Sequence, residues 1–219
     1  MGRVHLTFDN GPHPEGTPRV LHALAQRDIE ATFFVLGKHL ATPSGRDLAC
    51  SVRDAGHALA NHSWSHETPL GQDPRPDAVH LELQKTQDLI DAIAPGPVWF
   101  RPFGGGGILG PHLLSPAAVA WLEERDATCA LWNSVPGDWR DAEGWVDVAL
   151  ADADRQEHTV VVLHDFVLDA VDHLDRFLAL LVDRGHTFTT DWPDACLPIR
   201  EGRAGPELSN YVQNPGADR

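Results

Sequence analysis

Short apolar or alternating runs recur along this chain with helical stretches between them, and that alternation constrains the fold more than any other feature. Strand candidates fall at residues 3–9, 31–37, 57–63, 98–104, 128–135, 159–165 and 187–192. Capping residues followed by proline, Thr17-Pro18, Thr42-Pro43 and Ser115-Pro116, mark helix starts. Gly56 and Gly185 mark helix stops. Val79, Leu83, Ile90 and Ile93 form one apolar stripe at helical spacing, and Val171, Leu174, Leu178 and Leu181 form another. Sustained strand–helix alternation predicts a parallel sheet, and seven units predict its closure into a barrel. At 219 residues one such domain fits, spanning residues 1–196. Residues 197–219, rich in Gly, Pro and charge, read as an extended tail.

Charge excludes some partners. A formal net charge of −15 argues against nucleic acid and anionic membranes, which need basic patches. No apolar run approaches membrane-spanning length. Three widely spaced cysteines suit free thiols, with one disulfide left open. A strand-like segment starting at Arg3 or Val4 leaves no room for a signal peptide, so a cytoplasmic location is expected for the sequence as written. Thirteen histidines raise the prior for a metal or acid–base site.

Unusual polar residues gather at the carboxyl ends of the expected strands. Asp9 and Asn10 end the first, His62 and His66 the third, and Arg101 the fourth. Asp138 follows the fifth, and His164 and Asp165 close the sixth. In α/β barrels loops converge on one ligand at that rim. Taken singly, each group has a plainer reading. The H-x-x-x-H pair fits a turn, Asp9-Asn10-Gly11-Pro12 a strand-to-helix turn, and His164 a satisfied core histidine. Gly104 to Gly107 fit a flexible loop, and Trp139 and Val162 fit core packing.

Together these residues resemble the polysaccharide deacetylases, the NodB-like carbohydrate esterase family that hydrolyses N-acetyl groups of chitin and peptidoglycan. The match runs through T-F-D-N-G-P at residues 7–12, G-H-A-L-A-N-H-S-W-S-H at 56–66 and R-P-F-G-G at 101–105. It continues with G-D-W at 137–139 and V-V-L-H-D at 161–165, so the resemblance covers roughly residues 4 to 193. It implies a distorted seven-stranded (β/α) barrel of the NodB homology type. It also implies a divalent metal, Zn first with Co, Ni or Mn as alternatives, held by Asn10, His62 and His66.

The resemblance makes Asp9 the general base, paired with Arg101, and His164 the general acid, held protonated by Asp138. Gly104 supplies an oxyanion-hole N–H, while Trp139 and Val162 line the acyl pocket. Two departures stand out. Asn10 occupies a position where the family has a second aspartate. The glycines after Phe103 replace the family's usual tyrosine. The expected substrate is an acylated amino sugar or oligosaccharide. A non-sugar or cyclic amide on the same fold, and a catalytically impaired carbohydrate-binding homologue, are the rivals.

Overall fold

The computed structural model describes residues 1–214. In chain order the elements are β1 (Arg3–Gly11), α1 (Gly16–Ala25), β2 (Thr32–Val35), α2 (Gly37–Leu40), α3 (Pro43–Asp54) and β3 (Ala58–Asn61). A single π-helical turn, His80–Gln84, leads into α4 (Lys85–Ile93), followed by β4 (Trp99–Phe100), α5 (Pro116–Glu124) and β5 (Thr128–Cys129). Then come α6 (Trp145–Arg155), β6 (His158–His164), α7 (Leu168–Val171), α8 (Leu174–Asp183) and β7 (Thr187–Phe188). The short strands β8 (Ile199–Arg200) and β9 (Arg203–Ala204) complete the sheet.

All seven expected strands occur, and all seven pair in parallel. Most are shorter than their apolar runs, because after Phe100 and Cys129 the chain leaves the ladder to build the rim. β1 pairs with β6 from Arg3 to Asp9, with β2 over its carboxyl half and with β7 over Arg3 and Val4. The order β6-β1-β2-β3-β4-β5 makes a curled sheet wrapped by helices. An even seven-stranded barrel is too regular a description. Among the described residues, a lone parallel bridge, Ser134 to Val161, spans the seam between the β5 side and β6. The antiparallel pair β8–β9 occupies the remaining β5 edge, giving nine strands in the sheet.

Alternation along β1 sorts its two faces. Val4, Leu6 and Phe8 face the helical layer in the main apolar core. The other face carries His5, Thr7 and Asp9, and the first two are fully buried inside the curl. His5 Nε2 pairs with the Thr32 hydroxyl at 2.9 Å, and Thr7 Oγ1 donates to the Val161 carbonyl at 2.7 Å. The interior is thus polar along one line that ends at Asp9 on the rim.

Two capping expectations hold. Thr42 accepts from the Gly45 N–H at 3.0 Å, and Ser115 accepts from the Ala118 N–H at 3.1 Å. Thr17 does not cap. It lies one residue inside α1, where its hydroxyl binds the buried carboxyl group of Asp165 and accepts from the His13 N–H. Gly56 and Gly185 take φ of +89° and +78°, the left-handed turn that stops a helix. The stretch from Leu197, expected as an extended tail, lies against the sheet. Ile199 is fully buried and pairs with Cys129, and Leu131 N–H donates to the Cys196 carbonyl at 2.8 Å. The last five residues of that stretch lie outside the described residues. The three cysteines are free thiols, and no described helix is long and apolar enough to cross a membrane.

Candidate active site

The rim residues converge on one cavity of about 430 Å³, within the range of small-molecule sites. Asp9, Asn10, His62, His66, Gly104, Trp139, Val162 and His164 line it, so eight of the ten sequence-predicted residues meet there. The other two stand behind the lining. Arg101 backs Asp9, and Asp138 backs His164.

Asp9 ends the inner face of β1 and is 4% exposed. The Arg101 guanidinium, wholly buried, donates through Nη1 to Asp9 Oδ1 at 2.8 Å and to Thr7 Oγ1 at 2.7 Å. Its other nitrogens donate to the Ala130 and Leu131 carbonyls, and its plane lies 3.9 Å from the Phe34 ring centroid. A charge this deep is tolerable only with such a complete set of partners. The fork leaves Asp9 Oδ2 free to face the cavity.

His62 follows β3. Its Nδ1–H donates to the Arg101 carbonyl at 2.8 Å, leaving the Nε2 lone pair to point 3.5 Å from Asp9 Oδ2. Burial pushes the His62 pKa down to about 3, so this contact joins a neutral imidazole to a carboxyl group and is no ion pair. Burial, with His62 as neighbour, also brings His66 down to about 3. The two rings lie 4.8 Å apart, and His66 packs 3.9 Å from the Phe103 ring. Positive φ at Asn10 (71°), and at Ser63 (71°) and His66 (57°) in the loop after β3, turns the backbone there out of the ordinary regions.

These residues suit a metal in donor chemistry. Both imidazoles are held neutral, as ligation requires. The His62 tautomer is set by a backbone carbonyl, a common outer-shell arrangement. Asn10 Oδ1 is buried with no hydrogen-bond partner among the described residues, and Asn10 lines the same cavity. No group of three His, Cys, Asp or Glu side chains that could hold a metal occurs among the described residues. The Asn10 amide oxygen is thus one donor available beside the two imidazoles.

Beside Asp9 on the neighbouring strand, His164 closes β6. Asp138 grips it twice, accepting from its ring Nδ1–H and from its backbone N–H, each at 2.8 Å. Burial works against a charged ring, yet the hydrogen bond and charge of Asp138 outweigh it and raise the pKa. Trp139 stands perpendicular to that ring, centroids 5.0 Å apart. The cavity thus holds a carboxylate and a protonatable imidazole at the ends of two neighbouring strands, each locked by a buried partner.

Sequence reasoning missed Phe103, Trp132, Val135 and Phe166, which also form the wall. Phe103 lies inside the R-P-F-G-G motif and Phe166 directly follows V-V-L-H-D, so both were within reach of the pattern. Trp132 and Val135 lie in an apolar run indistinguishable from a strand.

Comparisons with known proteins give the chain's family and fold. Residues 2–108 match the family model described as polysaccharide deacetylase. The chitooligosaccharide deacetylase of Rhizobium leguminosarum bv. phaseoli is 33% identical over 165 residues, covering 74% of this chain and 67% of that one. The Bc1960 peptidoglycan N-acetylglucosamine deacetylase, solved with an N-hydroxybenzamide compound, superposes with a TM-score of 0.73 at 26% identity. That match covers 92% of this chain and 90% of the other. A pseudoenzyme of the same carbohydrate esterase family from Bacillus anthracis shares the fold, with TM-score 0.71 at 23% identity over 85% of this chain and 62% of its own. This chain belongs to the polysaccharide deacetylase family.

Proposed function

We propose that the chain is a metal-dependent hydrolase that removes an acyl group, acetyl in the simplest case, from the nitrogen of an amino sugar or related amide. The observation that carries this reading is the pair of locked dyads facing one cavity, Arg101–Asp9 at 2.8 Å and Asp138–His164 at 2.8 Å. A binding domain has no use for a locked carboxylate and a locked, protonatable imidazole at a single site. The named activities of the relatives, on chitooligosaccharide and on peptidoglycan N-acetylglucosamine, support a carbohydrate substrate.

His62, His66 and Asn10 would hold the metal, with Zn the first candidate and Co, Ni or Mn as alternatives. Bound there, a divalent ion supplies Lewis acidity to the acyl oxygen and lowers the pKa of the attacking water. The protein's own groups do the rest. Asp9, oriented by Arg101, takes the proton of the attacking water through its free Oδ2. The Gly104 N–H donates to the oxygen of the tetrahedral centre. His164, protonated because Asp138 raises its pKa, delivers a proton through Nε2 to the nitrogen, which then leaves as a neutral amine. Trp139 and Val162 flank the acyl group.

The test is acyl release from a panel running from N-acetylglucosamine to chitin oligomers and peptidoglycan, with Zn, Co, Ni or Mn supplied in turn. Release that depends on added metal and is lost in Asp9→Asn supports the reading. No release under any metal overturns it and favours the impaired-homologue rival, for which Asn10 is the one sequence argument.

A further inference from the structure

Asp165 directly follows His164 and is fully buried, yet the reaction so far assigns it no part. A carboxyl group taken out of water is costly and calls for an explanation. Its Oδ2 accepts from the Thr17 hydroxyl, and Thr17 Oγ1 in turn accepts from the His13 N–H at 2.7 Å. His13 Nδ1 accepts from the Gly16 N–H at 3.1 Å, which ties residues 13–17 together. Asp165 Oδ1 is buried with no hydrogen-bond partner among the described residues. The packing is as close as the bonding. A Cβ on Gly11 would press into the Asp165 carboxyl group, and one on Gly16 would collide with its backbone carbonyl oxygen. Asp165 is therefore wedged between the two ends of the loop that joins β1 to α1.

That loop grows out of the turn carrying Asn10. Against β2 the ladder pairs Asp9 with Phe34 and Gly11 with Val35, so Asn10 is an extra residue, a bulge with φ of 71°. Bulges re-aim side chains, and this one puts Asn10 on the cavity wall. On the β2 side the Leu36 N–H holds it, donating to the Gly11 carbonyl at 2.9 Å. On the β6 side the ladder stops at the pair Asp9 and His164. Beyond that pair, Asp165 with its Thr17 bond is what backs Gly11.

We propose that Asp165, working with Thr17, is a positioning residue that props the Asn10 bulge and keeps its amide oxygen turned to the cavity. This rests on the metal-dependent hydrolase reading, in which Asn10 is a ligand, and adds to it a residue that acts on the metal only through Asn10. Asp165 touches neither substrate nor metal in this role.

The experiment uses the full chain, with Zn affinity read by calorimetry and amide hydrogen exchange read on the metal-free protein. Thr17→Val removes the hydroxyl at nearly unchanged volume, and Thr17→Ser keeps it. Asp165→Ala removes the acceptor, and Asp165→Asn keeps one. Thr17→Val and Asp165→Ala should each weaken Zn binding by about 10–100-fold, while Thr17→Ser and Asp165→Asn stay close to the wild type. In an Asn10→Gly background, which tolerates the positive φ, Thr17→Val should cost nothing further. Without metal, exchange over residues 10–17 should quicken in Thr17→Val while the rest of the sheet is unchanged. Unchanged Zn affinity in Thr17→Val overturns the proposal, as does an equal loss in the Asn10→Gly background, which would mark a general structural effect. If this pattern of Zn binding appears without any acyl release, the hydrolase reading fails and the prop stands. If the wild type binds no Zn, the metal reading fails by itself and exchange decides: quickening over residues 10–17 upholds the prop, and unchanged exchange overturns it.

Discussion

Asn10 combines two properties that seldom coincide, a φ of 71° and a buried carbonyl oxygen without a partner. Asparagine is among the residues that tolerate left-handed backbone, so the turn after β1 is comfortable with it. What the position lacks is a negative charge beside a metal. Replacing the amide by a carboxylate adds Coulomb attraction, so Asn10→Asp should bind Zn more tightly in a calorimetric titration. Equal affinities would mean that Asn10 is no ligand. Asp9→Asn and His164→Ala should each lower kcat by about 10²–10⁴ while leaving metal content intact, the signature of lost general catalysis. Full activity in either variant removes the mechanism. His164 also sets a pH limit. Because its pKa is raised by Asp138 against the pull of burial, the acid stays protonated past the ordinary histidine value, and kcat/KM should fall as pH rises through that raised pKa. Asp138→Asn takes away the charge that raises it, so this alkaline limb should move to lower pH. An unmoved limb would assign it to some other group.

At the scale of elements, the π-helical turn His80–Gln84 solves a positioning problem for the histidine loop. It delivers Glu82, 3% exposed, beneath residues 63–66. Glu82 Oε2 accepts from the backbone N–H groups of Trp64 and Ser65 at 3.1 and 2.8 Å, and Oε1 accepts from the Ser65 hydroxyl and from Arg75. The loop carries two positive-φ residues, Ser63 and His66, and needs such a clamp to hold its shape. Glu82→Gln puts an amide nitrogen among these donors. The loss expected is about 10–100-fold in metal affinity, the scale of outer-shell changes, with kcat at saturating metal largely kept and Tm little changed. A fall in kcat with unchanged metal affinity would give Glu82 a different part. This clamp also shows where sequence reading stops. Asp9, His62, Arg101 and His164 were legible because polar residues ending apolar runs are hard to explain by folding alone. Glu82 sits in an amphipathic helix where any carboxylate looks solvated, and nothing in the spacing signals a π-turn. Trp132 and Val135 were hidden for a related reason: the apolar run from Thr128 reads as one strand, whereas the ladder ends at Cys129 and the rest turns inward as cavity wall. Thr17 was misread as a cap because its true partner, Asp165, is 148 residues away.

On the scale of the whole molecule, the curled sheet stores neutral histidines in its interior and at its rim. Burial lowers the pKa of His5, His62 and His66 to about 3 in each case. In the unfolded chain the same rings take up protons near pH 6.5. Between about pH 6.5 and 3 the unfolded state therefore binds more protons than the folded one, and stability must fall as pH drops through that window. His164 acts in the opposite sense. Its raised pKa contributes stability that is full below pH 6.5 and is lost as pH rises through the folded value, so it offsets part of the acid loss. Burial lowers His39, His57 and His158 as well, so six rings against one leave acid destabilisation dominant. In metal-free protein, where no ligand competes with the proton, Tm should decline steadily from pH 7 to pH 4.5, a range in which carboxylates contribute only toward its lower end. His5 separates the sheet's contribution from that of the metal site. It lies at the Thr32 end of the curl, away from the cavity lining, and its ring nitrogens contact Thr32 Oγ1 and the Asp191 carbonyl. His5→Gln keeps hydrogen-bonding capacity without a titrating ring, so the variant's Tm should fall less steeply over the same range even if it is lower at pH 7. An identical slope in the two proteins would mean that His5 is not held neutral in the folded state, and that the interior of the curl is wetter than its burial implies.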